Sequence, residues 1–246
     1  MTSLRASLSL VVLAGFFAAG CSDLSSSNNT ADVASDPPAA EESIATKDDA
    51  PAPQLGAPAG IQNLDTTVVP GEHVGPITPT TSRQDLADLF GEERLTDTAV
   101  DVGEGLTEAG TEITLSDDET LSILWVDSTQ SRVQEVRELG PMWQTPEGIH
   151  VGMPLDELQQ VAGTFEIYGF GWDYGGTVLL NNSRVAQYDG TLILRLAIDQ
   201  GAAEAYPQAY QAVIGETPYA STNQGFDSLD PYVSEMIVTL TPFGEF

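Results

Sequence analysis

Apolar and polar residues alternate in several short stretches of the chain after residue 99. The clearest example is residues 191–198, in which Leu192, Leu194, Leu196 and Ile198 share one face. An alternation with a period of two is typical of a strand that buries one side. The pattern predicts strands over residues 99–102, 112–115, 120–126, 132–138, 165–168, 177–180, 191–198 and 234–240.

Pairs of turn-forming residues lie between several of these stretches. Asp, Asn and Gly tolerate the backbone conformations of tight turns, and their short polar side chains bond to the nearby main chain. The pairs predict hairpin turns at Glu104-Gly105, Asp117-Asp118, Asn181-Asn182 and Asp189-Gly190.

Two other segments carry apolar residues at the spacing of a helix. Ser82 is predicted to cap the first helix, with Asp85 three residues further on, and Pro154 suits the first position of the second. Gly91 and Gly163 can adopt the left-handed conformation that ends a helix. The apolar positions are Leu86, Leu89 and Phe90 in the first segment and Leu155, Leu158, Val161 and Ala162 in the second.

The two helical segments belong to stretches that echo each other. When Gly91 is aligned with Gly163, Ile77 meets Ile149, and the apolar positions of the helices coincide. This self-similarity indicates a duplicated unit of a short helix followed by strands. We therefore expect an α+β fold with two tandem repeats of a short helix packed on an antiparallel sheet, in subdomains at residues 73–145 and 146–246. The two sheets can join into one concave surface.

The N-terminus has the parts of an export signal at residues 1–20: Arg5, an apolar stretch at residues 8–17, and then Ala19 and Gly20. The apolar stretch is too short to span a bilayer. Cys21, the one cysteine of the chain, follows these small residues as in a lipobox, where the sulfur receives a diacylglycerol. We expect lipidation at Cys21 and attachment to the membrane through acyl chains. An ordinary secretory signal, cut after Ala19 or Gly20, is the alternative.

Residues 21–72 are rich in Ser, Asn, Ala, Asp and Pro and contain few large apolar residues. Such a segment cannot bury enough surface to offset the entropy of ordering it, so we expect a flexible acidic tether. Ser22, and not Asp, directly follows Cys21. In a Gram-negative organism this resembles lipoproteins sent to the outer membrane, which predicts a location there, facing the periplasm.

The charge balance is extreme, with 8 Lys and Arg against 37 Asp and Glu and a formal net charge of −29. Such a surface repels nucleic acid phosphates and anionic lipid headgroups, so a nucleic acid partner is not expected. One explanation is adaptation to high salt, where ions screen the repulsion between carboxylates. The other is functional: the acidic surface docks a basic partner or gathers calcium.

Few residues are suited to catalysis or metal binding. The chain has two histidines, His73 and His150, and it lacks a Gly-x-Ser-x-Gly motif and a phosphate-binding loop. The Asp-rich pieces at residues 97–104 and 117–119 lack the spacing of a calcium loop. We therefore expect no catalytic residue, no metal site and no cofactor. A pair of carboxylates could still hydrolyse a glycan.

The most distinctive chemical segment is residues 169–176, in which four glycines frame Phe170, Trp172, Asp173 and Tyr174. If the segment is extended, its three rings share one face and form a binding patch for a peptide, a glycan or a protein, with Asp173 on the other side. The alternative is that the rings fill the core where the two subdomains meet, with the last two glycines forming a bulge or a hairpin.

Two resemblances follow from these motifs. Residues 148–163 resemble the helix-opening signature of small bacterial envelope domains similar to the β-lactamase-inhibitor protein and the small lipoprotein of the outer-membrane barrel-assembly machine. From residue 74 onward, the chain is similar to a group of uncharacterised bacterial lipoproteins that share the motifs at residues 103–105, 123–125 and 169–176. These resemblances imply an envelope protein with tandem repeats, and they imply no activity.

Together these observations favour a non-catalytic envelope lipoprotein that binds a protein partner through the concave sheet or through residues 169–176. A carboxylate-dependent hydrolase of envelope glycan is one alternative. A structural component of an envelope assembly complex is the other.

Overall fold

The computed structural model describes residues 63–242, so Cys21 and most of the predicted tether lie outside the described residues. The described residues belong to one compact unit. Its strands and α-helices are β1 Val68–Val69, β2 His73–Val74, α1 Arg83–Phe90, β3 Leu95–Gly103, β4 Leu106–Ser116, β5 Glu119–Trp125, β6 Val133–Arg137, α2 Leu155–Ala162, β7 Glu166–Tyr168, β8 Val178–Leu179, β9 Leu192–Ala197, α3 Ala202–Ala205, α4 Pro207–Gln211, β10 Pro218–Ala220, α5 Gln224–Leu229 and β11 Tyr232–Thr239.

The strands pair in antiparallel fashion and short helices pack beside them, which confirms the predicted α+β class. The main sheet has six strands in the order β3-β4-β5-β6-β11-β9. A smaller sheet has the order β10-β7-β8, and β1 pairs with β2. The main sheet takes strands from both sides of residue 146, while the subdomain boundary there stays a prediction.

All of the strands predicted from alternation are present. In β6 the apolar residues do not alternate regularly, and the structure gives the reason. Val133 and Val136 both enter the core although they are three residues apart. The pairing register between β5 and β6 shifts here: Leu124 pairs with Glu135, and the next residue, Trp125, pairs with Val133. This bulge leaves one extra residue in β6 and returns the second valine to the core face.

The two helices occupy equivalent positions, since α1 ends just before Gly91 and α2 just before Gly163. The Ser82 hydroxyl accepts a hydrogen bond from the Asp85 amide at 3.1 Å, and the Asp85 carboxylate accepts one from the Ser82 amide at 2.8 Å. This reciprocal capping box is the predicted start of α1. Both terminal glycines have positive φ, 98° and 75°.

Pro154 lies one position before its predicted place. It has an extended backbone, with ψ at 153°, and its carbonyl oxygen accepts the first hydrogen bond of α2, from Leu158 at 3.0 Å. Pro154 is therefore the N-cap and Leu155 the first helical residue.

Two of the four predicted hairpin turns are correct. Glu104-Gly105 joins β3 to β4, and Asp117-Asp118 joins β4 to β5. Asn181-Asn182 and Asp189-Gly190 do not form hairpins. They lie in or beside the 3-10 helices Leu180–Asn182 and Ala186–Tyr188, which carry the chain from the small sheet to the main sheet.

The main core lies between the helices and one face of the main sheet. That face contributes Leu121 and Ile123 from β5 and Leu194 from β9, each with 0% exposure. Trp143, from the stretch between the two repeats, is also fully buried in this core. Within residues 63–242, no helix is long and apolar enough to cross a membrane.

Candidate functional site

The main sheet is strongly coiled, and a hydrogen bond between two strands that are not neighbours shows this. The Nη1 atom of Arg137, in β6, donates to the carbonyl oxygen of Asp101, in β3, at 2.6 Å. Because β4 and β5 lie between these strands, a flat sheet would separate them by about 14 Å. The end of the β3–β4 hairpin therefore curls over the sheet face that points away from the main core, and makes that face concave.

Apolar side chains under the curled hairpin form a second, smaller buried group. Val100, Leu124 and Ile237 are 5%, 2% and 0% exposed, yet they do not belong to the main core. Gly110 allows this packing, because a Cβ there would lie 2.6 Å from Cγ2 of Val100 and 2.5 Å from the carbonyl oxygen of Ile123. The absence of a side chain at Gly110 thus lets the hairpin bend onto the sheet.

A cleft of about 170 Å³ remains between the hairpin end and the concave face. Both of its arginines are paired with carboxylates. Nε of Arg137 lies 3.2 Å from the carboxylate of Glu135, which is at the edge of the cleft. Nη1 of Arg195 lies 3.2 Å from the Glu235 carboxylate. The cleft is lined by Val100, Asp101, Val102, Gly103, Arg137, Glu138, Arg195 and Glu235.

Glu135 has the most buried carboxylate of this group, with its side chain 10% exposed. Burial raises the pKa of Glu135 above its ordinary value of 4.5, against the opposing effect of the Arg137 guanidinium. The Thr239 side chain also bonds to Glu135, and Glu108 adds a repulsive charge. This carboxyl group is held in place by its neighbours on the sheet.

Residues 169–176 form a turn and not an extended strand, so the three predicted rings do not share one face. Phe170 is 7% exposed and packs edge-to-face on Phe226, with ring centroids 6.0 Å apart. Trp172 is half-buried, and Asp173 and Tyr174 are exposed. The structure therefore divides the predicted patch, with Phe170 in the core and the other three residues at the surface.

Trp172 is the centre of a different aromatic group that includes Tyr168, which the sequence analysis missed. The Trp172 ring lies 5.5 Å from the Tyr168 ring and 5.3 Å from the Tyr174 ring, both edge-to-face. Its Nε1 donates to the Gly169 carbonyl oxygen at 2.8 Å. We call Tyr168, Trp172 and Tyr174 the aromatic surface. Tyr168 lies at the end of β7. It alternates in sequence with Phe170 and Trp172, and this pattern could have identified it as a member of the group.

Backbone contacts explain why the segment turns. The Phe170 amide donates to the carbonyl oxygen of Val213, and the Gly215 amide donates to that of Phe170, both at 2.9 Å. On the other side, the Leu196 amide donates to the carbonyl oxygen of Gly176 at 2.8 Å. A Cβ at Gly176 would overlap the Leu196 carbonyl, and φ there is +79°. Glycine is thus required where the loop meets β9.

The aromatic surface is tied to the hairpin end. The Tyr174 hydroxyl donates to Oε1 of Glu104 at 2.5 Å, and this bond raises the pKa of Tyr174 above its ordinary value of 10.0. Glu104 has φ of 55° and lies between two glycines of positive φ at the tip of the hairpin. The segments at residues 103–105 and 169–176 are thus brought together at the mouth of the cleft.

Larger concavities lie elsewhere on the described part of the chain, one of them, of about 370 Å³, along the β3–β4 hairpin beside Ala99 and Gly110. A groove of about 390 Å³ runs beside Trp125, whose indole is 6% exposed and donates to the Thr111 hydroxyl. Another, of about 260 Å³, lies between α2 and α5. Over residues 63–242, no three His, Cys, Asp or Glu side chains are grouped so that they could hold a metal ion.

Comparison with known proteins leaves the function open. No protein-family model matches the chain, and no curated protein matches it in sequence. The solved structure of the uncharacterised protein yfeY from Escherichia coli is similar, with a TM-score of 0.39 and 15% identity over 69% of this chain and 97% of that chain. A likeness at this level carries no argument about the function of this chain.

Proposed function

We propose that the protein is a non-catalytic binding module of the cell envelope. Acyl chains on Cys21 hold it at the membrane, in the outer membrane facing the periplasm, and a protein partner binds at the aromatic surface beside the cleft. The observation that carries this proposal is the exposure of rings held in a fixed arrangement. Tyr174 is 43% exposed, its hydroxyl donates to the Glu104 carboxylate, and the Trp172 indole donates to the backbone carbonyl of Gly169.

Rigid aromatic side chains suit a binding surface for a physical reason. Tyr and Trp bring a large contact area, and they are enriched among the residues that dominate binding energy. Their cost on binding is lost side-chain freedom, and the bonds from Trp172 to Gly169 and from Tyr174 to Glu104 have already removed part of it. This surface is therefore prepared for a partner.

The hairpin end extends the same surface. Leu106, two residues after Glu104, is 61% exposed, more than any other large apolar residue of the described range. Leu106 is close in sequence to Glu104, which bonds to Tyr174 of the aromatic surface, so it is a suitable position for probing a partner.

The carboxylates of the cleft support binding over hydrolysis. Glu138 accepts from the Ser122 hydroxyl at 2.5 Å, Glu235 is paired with Arg195, and Asp101 accepts from the Gly103 amide at 2.7 Å. In a glycosidase, one carboxyl group gives a proton and another acts as nucleophile or base. Each carboxylate of this cleft is engaged by a group of its own fold, and the proposal gives it a structural role.

Photocrosslinking in cells tests the proposal. A photoreactive amino acid replaces Leu106 in the full-length protein, and the matched control carries it at Leu89, which is 36% exposed on α1. We expect a discrete crosslinked protein from position 106 and not from position 89, and less of it when Trp172→Ala is added. Absence of a product at position 106, or the same product at both positions, would contradict the proposal.

A further inference from the structure

Carboxylates border the exposed part of the aromatic surface. Asp173 lies between Trp172 and Tyr174 in sequence and is exposed, and the Glu104 carboxylate is bonded to the Tyr174 hydroxyl. Arg195 is the cation that acts on Tyr174, and it is paired with Glu235 at 3.2 Å. The rings are thus bordered by two negative charges, and the arginine that acts on Tyr174 is already paired with a carboxylate.

This combination suits a cation. The face of an aromatic ring carries partial negative charge and attracts an ammonium or guanidinium group, most strongly at Trp. A carboxylate at the ring edge adds a charge-assisted hydrogen bond to the same group. An anionic or purely apolar side chain would gain neither interaction and would have to desolvate Asp173 or Glu104.

The charge of the whole chain acts in the same direction. A formal net charge of −29 creates a field that draws a positively charged partner towards the surface and repels a negative one. Such attraction raises the association rate, whereas the local arrangement of rings and carboxylates decides where the partner binds.

We infer that the aromatic surface binds a basic segment of its protein partner, with an Arg or Lys side chain placed against Trp172 and Tyr174 and between Asp173 and Glu104. This inference rests on the proposed function and adds the chemistry of the partner. It also gives two of the many acidic residues, Asp173 and Glu104, a specific role in binding.

Fluorescence and calorimetric titrations with synthetic peptides test the inference. The probes are peptides of alternating Gly and Arg, Gly and Gln, or Gly and Glu, added to the full chain and to its variants. We expect the Arg peptide to bind and the other two not to. Trp172→Ala and Asp173→Asn should each weaken binding of the Arg peptide about tenfold or more.

General attraction between acid and base has to be separated from binding at this site. Asp88→Asn on α1 and Glu157→Gln on α2 remove the same charge from exposed positions on the helices. We expect these control variants to bind the Arg peptide within about twofold of the parent.

Four outcomes would overturn the inference. One is an equal loss of binding in Asp173→Asn and the control variants, which would mean diffuse charge attraction. Another is the absence of binding by the Arg peptide. The third is binding of the Cys21→Ser protein, which has no site for acyl chains, to phosphatidylcholine vesicles, with loss of that binding in Trp172→Ala; this would assign the rings to a lipid headgroup. Crosslinking of a protein partner at position 106 without any effect of Asp173→Asn would leave the proposed function standing and this inference wrong.

Discussion

The Tyr174 hydroxyl donates a 2.5 Å hydrogen bond to the Glu104 carboxylate, 70 residues away in sequence. Glu104 lies at the tip of the β3–β4 hairpin, and β3 is one edge of the main sheet. Tyr174 lies in a loop that bonds to β9, the opposite edge, through Gly176 and Leu196. One side-chain contact therefore joins the two edges of a coiled sheet at the mouth of its cleft.

Tyr174→Phe should loosen the hairpin tip without unfolding the protein. The variant loses only the hydroxyl that bonds to Glu104, so amide hydrogen exchange in residues 101–107 should become several-fold faster. Tyr206→Phe, at a tyrosine that is 51% exposed, is the control and should leave this exchange unchanged. Unchanged exchange in the Tyr174 variant would show that the bond does not hold the hairpin.

The same bond implies a dependence on pH. The pKa of Tyr174 is raised in the folded protein, so the protonated hydroxyl is the form that the fold favours. Its contribution is complete below pH 10 and is lost as the pH rises through the raised pKa. Exchange in residues 101–107, corrected for its intrinsic pH dependence, should approach that of Tyr174→Phe above this value.

Gly110→Ala should destabilise the fold through the concave face. The new Cβ would contact the carbonyl oxygen of Ile123 and the side chain of Val100, so the hairpin must move outward. We expect a loss of about 1–3 kcal/mol in the free energy of unfolding by urea denaturation. Gly140→Ala is the matched control, because its Cβ would meet only the flexible end of Glu119. Equal effects of the two substitutions would contradict the account of the bend.

Arg137→Met should lower the free energy of unfolding, because the buried Glu135 carboxylate then has no cation beside it. Removing one partner of a buried ion pair leaves an uncompensated charge, which typically costs about 3–5 kcal/mol. The pKa of Glu135 is already raised by burial and should rise further in the variant. The variant should therefore lose much of its free energy of unfolding, relative to the parent, at pH 7. The loss should be smaller below pH 4.5, because the carboxyl group is then protonated in the unfolded chain as well.

The double variant Arg137→Met with Glu135→Gln provides the control for this pair. It removes both charges, so most of the stability lost at pH 7 should return. A loss in Arg137→Met that is equal at both pH values, or that is not recovered in the double variant, would show that Glu135 is not the buried charge responsible.

Cys21→Ser tests the anchor, which lies outside the described residues. Cells given a palmitate analogue should label the parent protein and not the variant, and the variant should move from the membrane fraction to the soluble exported fraction. Labelling of the Cys21→Ser protein would contradict lipidation at this residue. Absence of label in the parent would favour an ordinary secretory signal.

Much of the fold could be predicted because its strands and first two helices carry their pattern locally. Leu192, Leu194 and Leu196 alternate with polar or partly exposed neighbours, and Ser82 and Gly91 mark the ends of α1 within one short segment. The class and the longer strands followed from these signals, whereas β1, β2 and β10, of two or three residues each, were missed. Helices α3, α4 and α5 were missed because they have only 4, 5 and 6 residues, too few for a repeating apolar face.

The candidate site could be predicted only in part, because long-range contacts shape it. Phe170 turns inward since its backbone bonds to Val213 and Gly215, whose position in the fold the local sequence does not show. The bond from Tyr174 to Glu104 depends on the coil of the sheet, which arises from packing around Gly110. The sequence therefore identified Trp172, Asp173 and Tyr174, whereas Tyr168, the inward position of Phe170 and the arrangement of the site required the structure.

The most direct test of the central claim is the affinity of the crosslinked partner for the parent protein and for Trp172→Ala, measured by isothermal titration calorimetry. We predict that the variant folds normally and binds at least about tenfold more weakly, a difference of about 1.4 kcal/mol. Equal affinities for the two proteins would show that the aromatic surface is not the binding site.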